Sequence, residues 1–241
     1  MKKIILSSIL VATSLFAITN EEILSIYGNA PAGVEIKVTE RVPVKEIKDC
    51  EAVFVGIFSK GELAQEELLF VKDNLILPDI IDVKNKIFYK DKIQKSKTYK
   101  NIAKLYEKEL PENIIKIGND EKKPTMLIFT DAECPYCRRE MSVIEERLKS
   151  YNIEIIMTSV HKESGHAKSF LIYKEMKDAK TDADKIKILT KYYDEKMGPQ
   201  ISKVTQDDIK KAEKLALKYQ TSGVNAVPFI VDKAEVLNSL K

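Results

Sequence analysis

Two cysteines three residues apart, Cys134 and Cys137, form the pattern with the clearest capacity for chemistry in this chain. An apolar run, Thr125–Thr130, predicts a buried strand before them, and a helix is predicted from Cys137 to Ser150. The free N–H groups at the start of a helix stabilise negative charge, so they favour the thiolate of Cys134. Cys134 can then form a mixed disulfide with another protein, and Cys137, one turn further on, can resolve it. The spacing therefore predicts a catalytic pair of thiols.

The residues around the pair are expected to tune its redox potential. Pro135 suits the first turn of a helix because it lacks an N–H group. Tyr136 is the second residue between the cysteines, and we assign both residues a redox-tuning role. Arg138 and Arg139 are expected to add positive potential nearby.

Metal and haem sites are the alternatives for this motif. A zinc site needs four ligands, and the chain has neither a second Cys-x-x-Cys motif nor a suitable pair of histidines. His161 and His166 are five residues apart, which does not place both on one helical face. Arg138 rather than histidine follows the second cysteine, which argues against covalent haem attachment. We therefore predict no metal and no cofactor, and interpret the histidines as ordinary surface or core residues.

The first 17 residues have the layout of a secretory signal peptide. Lys2 and Lys3 precede an uncharged, mostly apolar stretch at residues 4–16, and Ala17 is a small residue at the expected cleavage site. This stretch is shorter than the roughly 20 residues that span a bilayer. A retained membrane anchor is the alternative. The sequence thus predicts export, with the periplasm as the expected location.

Composition limits the class of protein. The formal net charge is +3, two charges of which come from the expected signal peptide, so nothing indicates nucleic-acid binding. The chain has only three cysteines, fewer than an exported protein held together by disulfides usually carries. We interpret the third, Cys50, as a buried thiol at the start of a strand, with an intersubunit or regulatory disulfide as the alternative.

The remaining pattern predicts a mixed fold of class α+β or α/β. Alternation from Val34 to Val44, a run at Val53–Phe58 and a hairpin around Lys72-Asp73-Asn74 predict a small N-terminal sheet domain at residues 18–95. A short helix, Glu21–Tyr27, is expected before that sheet. A helix from Thr98 to about Leu110 is expected to be a solvent-exposed linker, within residues 96–112.

Residues 113–241 are expected to form a second, catalytic domain. A short strand, Ile114–Ile117, is predicted before the Cys-x-x-Cys motif. After the helix that carries the motif, strands are predicted at Ile153–Val160 and Phe229–Val231. Helices are predicted at Ser164–Lys177, Asp182–Lys196 and Thr205–Tyr219. The last of these helices begins with a capping-box-like Thr205-Gln-Asp-Asp. The order of strands and helices is of α/β character.

A second motif, from Thr221 to Val231, gives the chain its resemblance to the thioredoxin superfamily. In that superfamily a Cys-x-x-Cys at a strand-to-helix turn is followed much later by Gly-Val-x-x-x-Pro before a strand, as at Gly223–Pro228 here. The resemblance implies a cis bond between Val227 and Pro228 beside the cysteines. It also implies that the Val227 backbone binds an extended substrate.

The block Phe129–Cys137 is similar to the active-site segment of the DsbC/DsbG family of periplasmic thiol–disulfide isomerases. This resemblance implies an N-terminal cystatin-like dimerisation domain, a linker helix and a thioredoxin fold with a helical insertion. It also implies a homodimer, folding or misoxidised exported proteins as substrates, and a membrane redox partner. That partner would be a DsbD-like donor or a DsbB-like acceptor.

Three features depart from the family pattern. Val227 stands where the isomerases usually carry threonine, and valine is the choice of DsbA-type oxidases. Ile128 replaces the acidic residue that lies beneath the cysteines in thioredoxin itself. The chain also ends 13 residues after Pro228, so an abbreviated final strand and helix are expected.

Three functions follow as hypotheses. The first is an exported thiol–disulfide isomerase or reductase that acts through Cys134. The second is a DsbA-like dithiol oxidase. The third is a holdase chaperone that binds unfolded proteins in the cleft of a dimer.

Overall fold

The computed structural model describes residues 18–241, so the expected signal peptide, residues 1–17, lies outside the described residues. The chain divides into two compact units, one that ends at Lys95 and one that spans Ser96–Lys241. The fold is a mixture of α and β structure, with one four-stranded sheet in each unit and most of the helices in the C-terminal unit. None of the helices within residues 18–241 combines the length and apolar character needed to cross a membrane.

The N-terminal unit is built on an antiparallel sheet with strands in chain order. Its strands are β1 (Val34–Pro43), β2 (Cys50–Ser59), β3 (Glu62–Lys72) and β4 (Leu75–Leu77). Alternate residues of β2 pack into two separate apolar clusters, Phe54 into one and Val55 into the other. Both faces of the central strands are therefore covered, which explains why their sequences read as continuous apolar runs.

The predicted hairpin around residues 72–74 is confirmed. Strands β3 and β4 pair across it, and Asp73 has a φ of 53°. The predicted first helix is also present, as α1 (Asn20–Ser25), and the Thr19 and Glu22 side chains form a capping box at its start. A hairpin of two short strands, β5 (Ile81–Asp82) and β6 (Ile87–Phe88), follows the sheet.

Helix α2 spans Tyr89–Tyr106, so the prediction that it begins at Thr98 is wrong. The Asp79 carboxylate accepts hydrogen bonds from the backbone N–H groups of Ile80 and Lys90, which fixes the chain where the helix begins. Its last turns are not solvent-exposed on all sides, because Ile102 is fully buried in an apolar cluster of the second unit.

The C-terminal unit contains a four-stranded sheet in the order β10-β8-β9-β7. Its strands are β7 (Ile115–Ile117), β8 (Thr125–Thr130), β9 (Asn152–Met157) and β10 (Phe229–Asp232). Strands β8 and β9 are parallel, and β7 and β10 run antiparallel to their neighbours. Because β8 and β9 are parallel neighbours, the chain segments that leave their carboxyl ends emerge side by side.

Six helices accompany this sheet: α3 (Pro135–Ser142), α4 (Ile144–Leu148), α5 (Lys162–Met176), α6 (Asp182–Tyr193), α7 (Gln206–Gln220) and α8 (Lys233–Asn238). The single helix predicted over 137–150 is interrupted at Val143, whose φ of −110° and ψ of 15° lie outside the helical region. The predicted capping box at Thr205 and Asp208 is confirmed. The last two described elements are the four-residue strand β10 and the six-residue helix α8.

Candidate functional site

Strand β8 and helix α3 hold the two cysteines. Cys134 is the N-cap residue of α3, with an extended backbone, and Pro135 is the first helical residue. Cys137 lies one turn into the helix and is fully buried, whereas Tyr136 between them is 67 % exposed. Both cysteines are free thiols. Cys134 thus lies at the helix N-terminus, where backbone N–H groups favour negative charge.

The proline segment lies against Cys134, although the two motifs are 93 residues apart in sequence. The Val227–Pro228 peptide bond is cis. The Cys134 thiol donates a hydrogen bond to the Val227 carbonyl oxygen, at a distance of 3.5 Å. Strand β10 starts directly after this segment and pairs with β8, with Phe229 opposite Phe129, which brings the two motifs together.

Cys137 lies in a buried, mostly apolar environment. Burial raises the pKa of its thiol to about 12, although hydrogen bonds with the Thr130 side chain and the Asp131 backbone oppose the rise. The hydroxyl of Tyr193, from α6, donates to Thr130 Oγ1 at 2.9 Å. Ile128, where thioredoxin itself carries an acid, packs in the same apolar cluster as both cysteines. Cys137 therefore remains protonated in the resting dithiol.

The carboxylate of Asp131 organises the loops around the cysteines. It is fully buried and accepts five hydrogen bonds from Glu133, Ser159, Val160 and His161. His161 donates two of the five, one from its backbone N–H and one from ring atom Nδ1 at 2.7 Å. An ionised carboxylate can only accept hydrogen bonds, so Nδ1 must carry the proton. Its backbone carbonyl also accepts from the Cys134 N–H. Asp131 thus joins the segment after β9 to the loop that carries Cys134.

Helix α5 approaches this carboxylate closely at Gly165. A methyl group at this position would lie 1.9 Å from Ser159 Oγ and 3.0 Å from Asp131 Oδ1. Gly165→Ala is expected to destabilise the protein by about 1–3 kcal/mol, because the strain of overpacking exceeds the roughly 1 kcal/mol that alanine gains in a helix. Urea denaturation of the two proteins measures the difference. Adding Ser159→Ala should restore part of the loss, and an unchanged midpoint for Gly165→Ala would contradict the close contact.

Charged residues beside the active site form ion pairs with one shared carboxylate, that of Glu133. Glu133 Oε2 lies 3.1 Å from Arg138, and Glu133 Oε1 lies 3.2 Å from the ammonium group of Lys168, which is fully buried. Ser164 Oγ also donates to Glu133. Arg138 is thus paired with Glu133, whereas Arg139 is exposed, and the expectation that the two arginines add positive potential stays a prediction.

The remaining candidates are placed as follows. Cys50 is the first residue of β2 and is 3 % exposed, which confirms the interpretation as a buried thiol, and burial raises its pKa. His166 is buried, and loss of hydration lowers its pKa. His161 is exposed, as expected of a surface residue, and its ring contacts Asp131 beside the active site.

Comparison with known proteins places the fold. The model of a family described as a thioredoxin-like domain matches residues 110–233, just over half of the chain. A search of curated proteins finds no match.

Solved structures provide more distant similarities. DsbG of Helicobacter pylori is 22 % identical, with 83 % of this chain and 95 % of that chain covered and a TM-score of 0.48. A linker-deletion mutant of ScsC from Proteus mirabilis is 18 % identical, with coverage of 63 % and 85 % and a TM-score of 0.45. The thiol-disulfide exchange protein α-DsbA2 of Wolbachia pipientis is 17 % identical, with coverage of 59 % and 86 % and a TM-score of 0.39.

The chain belongs to the thioredoxin-like family. Its two thiols lie at the strand-to-helix turn of that fold, beside a cis proline. The family and the dithiol together define a thiol–disulfide oxidoreductase of the thioredoxin superfamily.

Proposed function

We propose that the protein is an exported thiol–disulfide isomerase or reductase of folding proteins. Cys134 would attack a disulfide of the substrate and form a mixed disulfide, and one substrate thiolate would leave. In isomerisation another substrate thiol then attacks this bond and releases Cys134, with no net oxidation. In reduction Cys137 attacks instead, which leaves a reduced substrate and a Cys134–Cys137 disulfide that a membrane donor must reduce with two electrons.

The environment of Cys137 is the observation that carries this proposal. Burial, the largest cause of the raised pKa of Cys137, persists in the mixed disulfide, so Cys137 supplies little thiolate at neutral pH and attacks this bond slowly. A slow resolving step leaves time for a thiol of the substrate to attack first. Such kinetics favour isomerisation over immediate release of a reduced substrate.

The surroundings of Cys134 support the binding of an extended substrate. Within residues 18–241 the backbone N–H of Val227 has no hydrogen-bond partner, so it can pair with a substrate strand. Exposed Tyr136 adds an aromatic surface next to the reactive sulfur. We assign catalysis to Cys134 and Cys137, redox tuning to Pro135 and Tyr136, and substrate binding to Val227 and Pro228.

Export to the periplasm is supported by the basic and apolar residues at 1–17. Pairing of two N-terminal units into a homodimer, misoxidised exported proteins as substrates, and a DsbD-like donor as the membrane partner belong to the same proposal. The DsbA-like alternative is favoured by Val227, and it would use a DsbB-like acceptor.

The redox state of the cysteine pair in the cell distinguishes the two directions. We expect Cys134 and Cys137 to be found reduced when cell extracts are trapped with a thiol-alkylating reagent that shifts gel mobility. Deletion of the membrane donor should convert them to the disulfide. A Cys134→Ala/Cys137→Ala variant, which keeps Cys50, gives the background of the assay. A pair that is oxidised in normal cells would contradict the isomerase proposal and support the oxidase.

A further inference from the structure

A cavity of about 600 Å³ lies in the C-terminal unit, among the end of α2, the turn that follows it, α5 and α7. None of Cys134, Cys137, Val227 and Pro228 lines it. Its volume is within the range of 300–1,000 Å³ that is usual for small-molecule pockets. The cavity is therefore large enough for a small-molecule ligand, and it shares no lining residue with the dithiol site.

The walls of the cavity are apolar. They are formed by Leu110, Phe170, Tyr173, Ala212 and Leu215. The Tyr173 hydroxyl accepts from the Met157 N–H and donates to the Asn113 carbonyl, so the protein itself occupies the polar end of this side chain. The cavity thus offers a ligand aliphatic and aromatic surface rather than free hydroxyl groups.

The lysines around the cavity outnumber its acids. Six lysines line it: Lys108, Lys174, Lys177, Lys211, Lys214 and Lys218. Lys218 forms an ion pair with Glu109 at 2.7 Å, and Lys211 lies 3.5 Å from Asp208. Within the described part of the chain, the other four side chains form neither an ion pair nor a hydrogen bond. Four positive charges therefore face this region without a partner in the protein.

The acidic residues of the lining do not balance these charges. The Glu109 side chain is 2 % exposed and accepts hydrogen bonds from Leu110, Asn113, Lys218 and Tyr219. Burial would raise its pKa, but these hydrogen bonds lower it, so it stays ionised within its own set of donors. Glu112 is the other acid in the lining, and it is exposed. Charge complementarity therefore favours an anion.

We propose that this cavity binds a free long-chain carboxylate, with the alkyl chain against the apolar walls and the carboxylate among the unpaired lysines. Lysine suits this role because its methylene stem packs on apolar surface while its ammonium group stays in water. A cation is disfavoured by the same four charges, and a neutral chain gains only the apolar contacts.

Isothermal titration calorimetry of the full mature chain with dodecanoate below its micellar concentration tests the proposal. We expect saturable binding of one dodecanoate per chain, weaker binding of dodecanol and none of dodecyltrimethylammonium. The variant Lys174→Glu/Lys214→Glu should bind dodecanoate about tenfold more weakly, because each reversal replaces an attraction with a repulsion. The two lysines are exposed, so the variant should keep its fold.

The matched control is Lys187→Glu/Lys210→Glu, which changes the net charge equally at exposed positions outside the lining. It should bind dodecanoate like the wild type, and so should Cys134→Ala, because the cavity does not depend on thiol chemistry. Absence of saturable binding, equal binding of the cationic chain, or equal loss in the two double variants would overturn the proposal without affecting the proposed function.

Discussion

Replacing Cys134 with serine is expected to lower the rate of thiol–disulfide exchange to that of the uncatalysed reaction. Only a sulfur nucleophile can form the mixed disulfide, and Cys134 is the cysteine at the helix N-terminus beside Val227. The reduction of a fluorogenic peptide disulfide measures the rate. Cys50→Ala is the control, since Cys50 is buried in the N-terminal unit and should leave the rate unchanged. Residual catalysis in Cys134→Ser would contradict the assignment of the nucleophile.

Replacing Cys137 with alanine should trap the reaction instead of preventing it. Cys134 can still form the mixed disulfide, but Cys137 is no longer present to resolve it. The expected result is a covalent Cys134–substrate adduct that accumulates and that reducing agents release. Non-reducing gel electrophoresis after incubation with an oxidised substrate reveals this adduct. If Cys137→Ala instead reduced a peptide disulfide at the wild-type rate, the resolving role of Cys137 would be wrong.

The same pKa predicts how the resolving step depends on pH. A thiol with a pKa of about 12 is ionised to about one part in 10⁵ at pH 7. Its thiolate fraction rises about tenfold per pH unit below that pKa. Burial, the largest cause of the raised pKa, persists when Cys134 is held in a mixed disulfide. The decay of a preformed mixed disulfide between Cys134 and a small thiol should therefore accelerate about tenfold per unit between about pH 7 and 9. Acid-quenched time courses measure this decay, and a rate independent of pH would contradict a raised Cys137 pKa.

Short-range patterns in the sequence predicted the strand before the cysteines and the cap of a later helix. Thr125–Thr130 is the predicted strand, and Thr205 and Asp208 form the predicted cap. These features depend on neighbours a few residues apart, so their physical cause is visible in the sequence. The proline segment was located by its resemblance to the thioredoxin superfamily, because nothing local to Val227 indicates a contact with Cys134.

Contacts between distant segments were missed. Nothing in the sequence near Tyr193 indicates that its hydroxyl donates to Thr130, because the path of α6 over the sheet sets that contact. The contact between Asp131 and His161 had a signal, since each residue follows the end of a predicted strand. If those strands are parallel neighbours, as β8 and β9 are, their carboxyl ends meet at one edge. The pairing of the strands was the missing fact.

The Asp131 side chain should contribute strongly to the stability of the fold, because five hydrogen bonds converge on its carboxylate. Asp131→Ala leaves five hydrogen-bond donors without their acceptor, and we expect the free energy of unfolding to fall by about 3 kcal/mol. Asp131→Asn should lose less stability than Asp131→Ala, because one oxygen remains to accept hydrogen bonds. It should still be less stable than the wild type, because the amide NH₂ group then lies against another donor. His161→Ala is the matched control: it removes one of the five hydrogen bonds and should lower the stability by about 1 kcal/mol. Urea denaturation compares the variants, and a loss for Asp131→Ala no greater than for His161→Ala would contradict the central role of this carboxylate.

The contribution of Asp131 should also depend on pH in a defined direction. Burial raises the pKa of its carboxyl, but the hydrogen bonds from Glu133, His161, Val160 and Ser159 outweigh burial and hold it below its ordinary value of 3.8. The folded protein therefore favours the ionised form more than the unfolded chain does. The resulting stability is fully present above about pH 4 and is lost as the pH falls through the lower pKa of the folded state. The stability difference between the wild type and Asp131→Asn should thus be constant from pH 7 to about pH 5 and shrink below about pH 4, because the asparagine does not titrate. A difference that grew on acidification would mean that the folded protein prefers the protonated carboxyl.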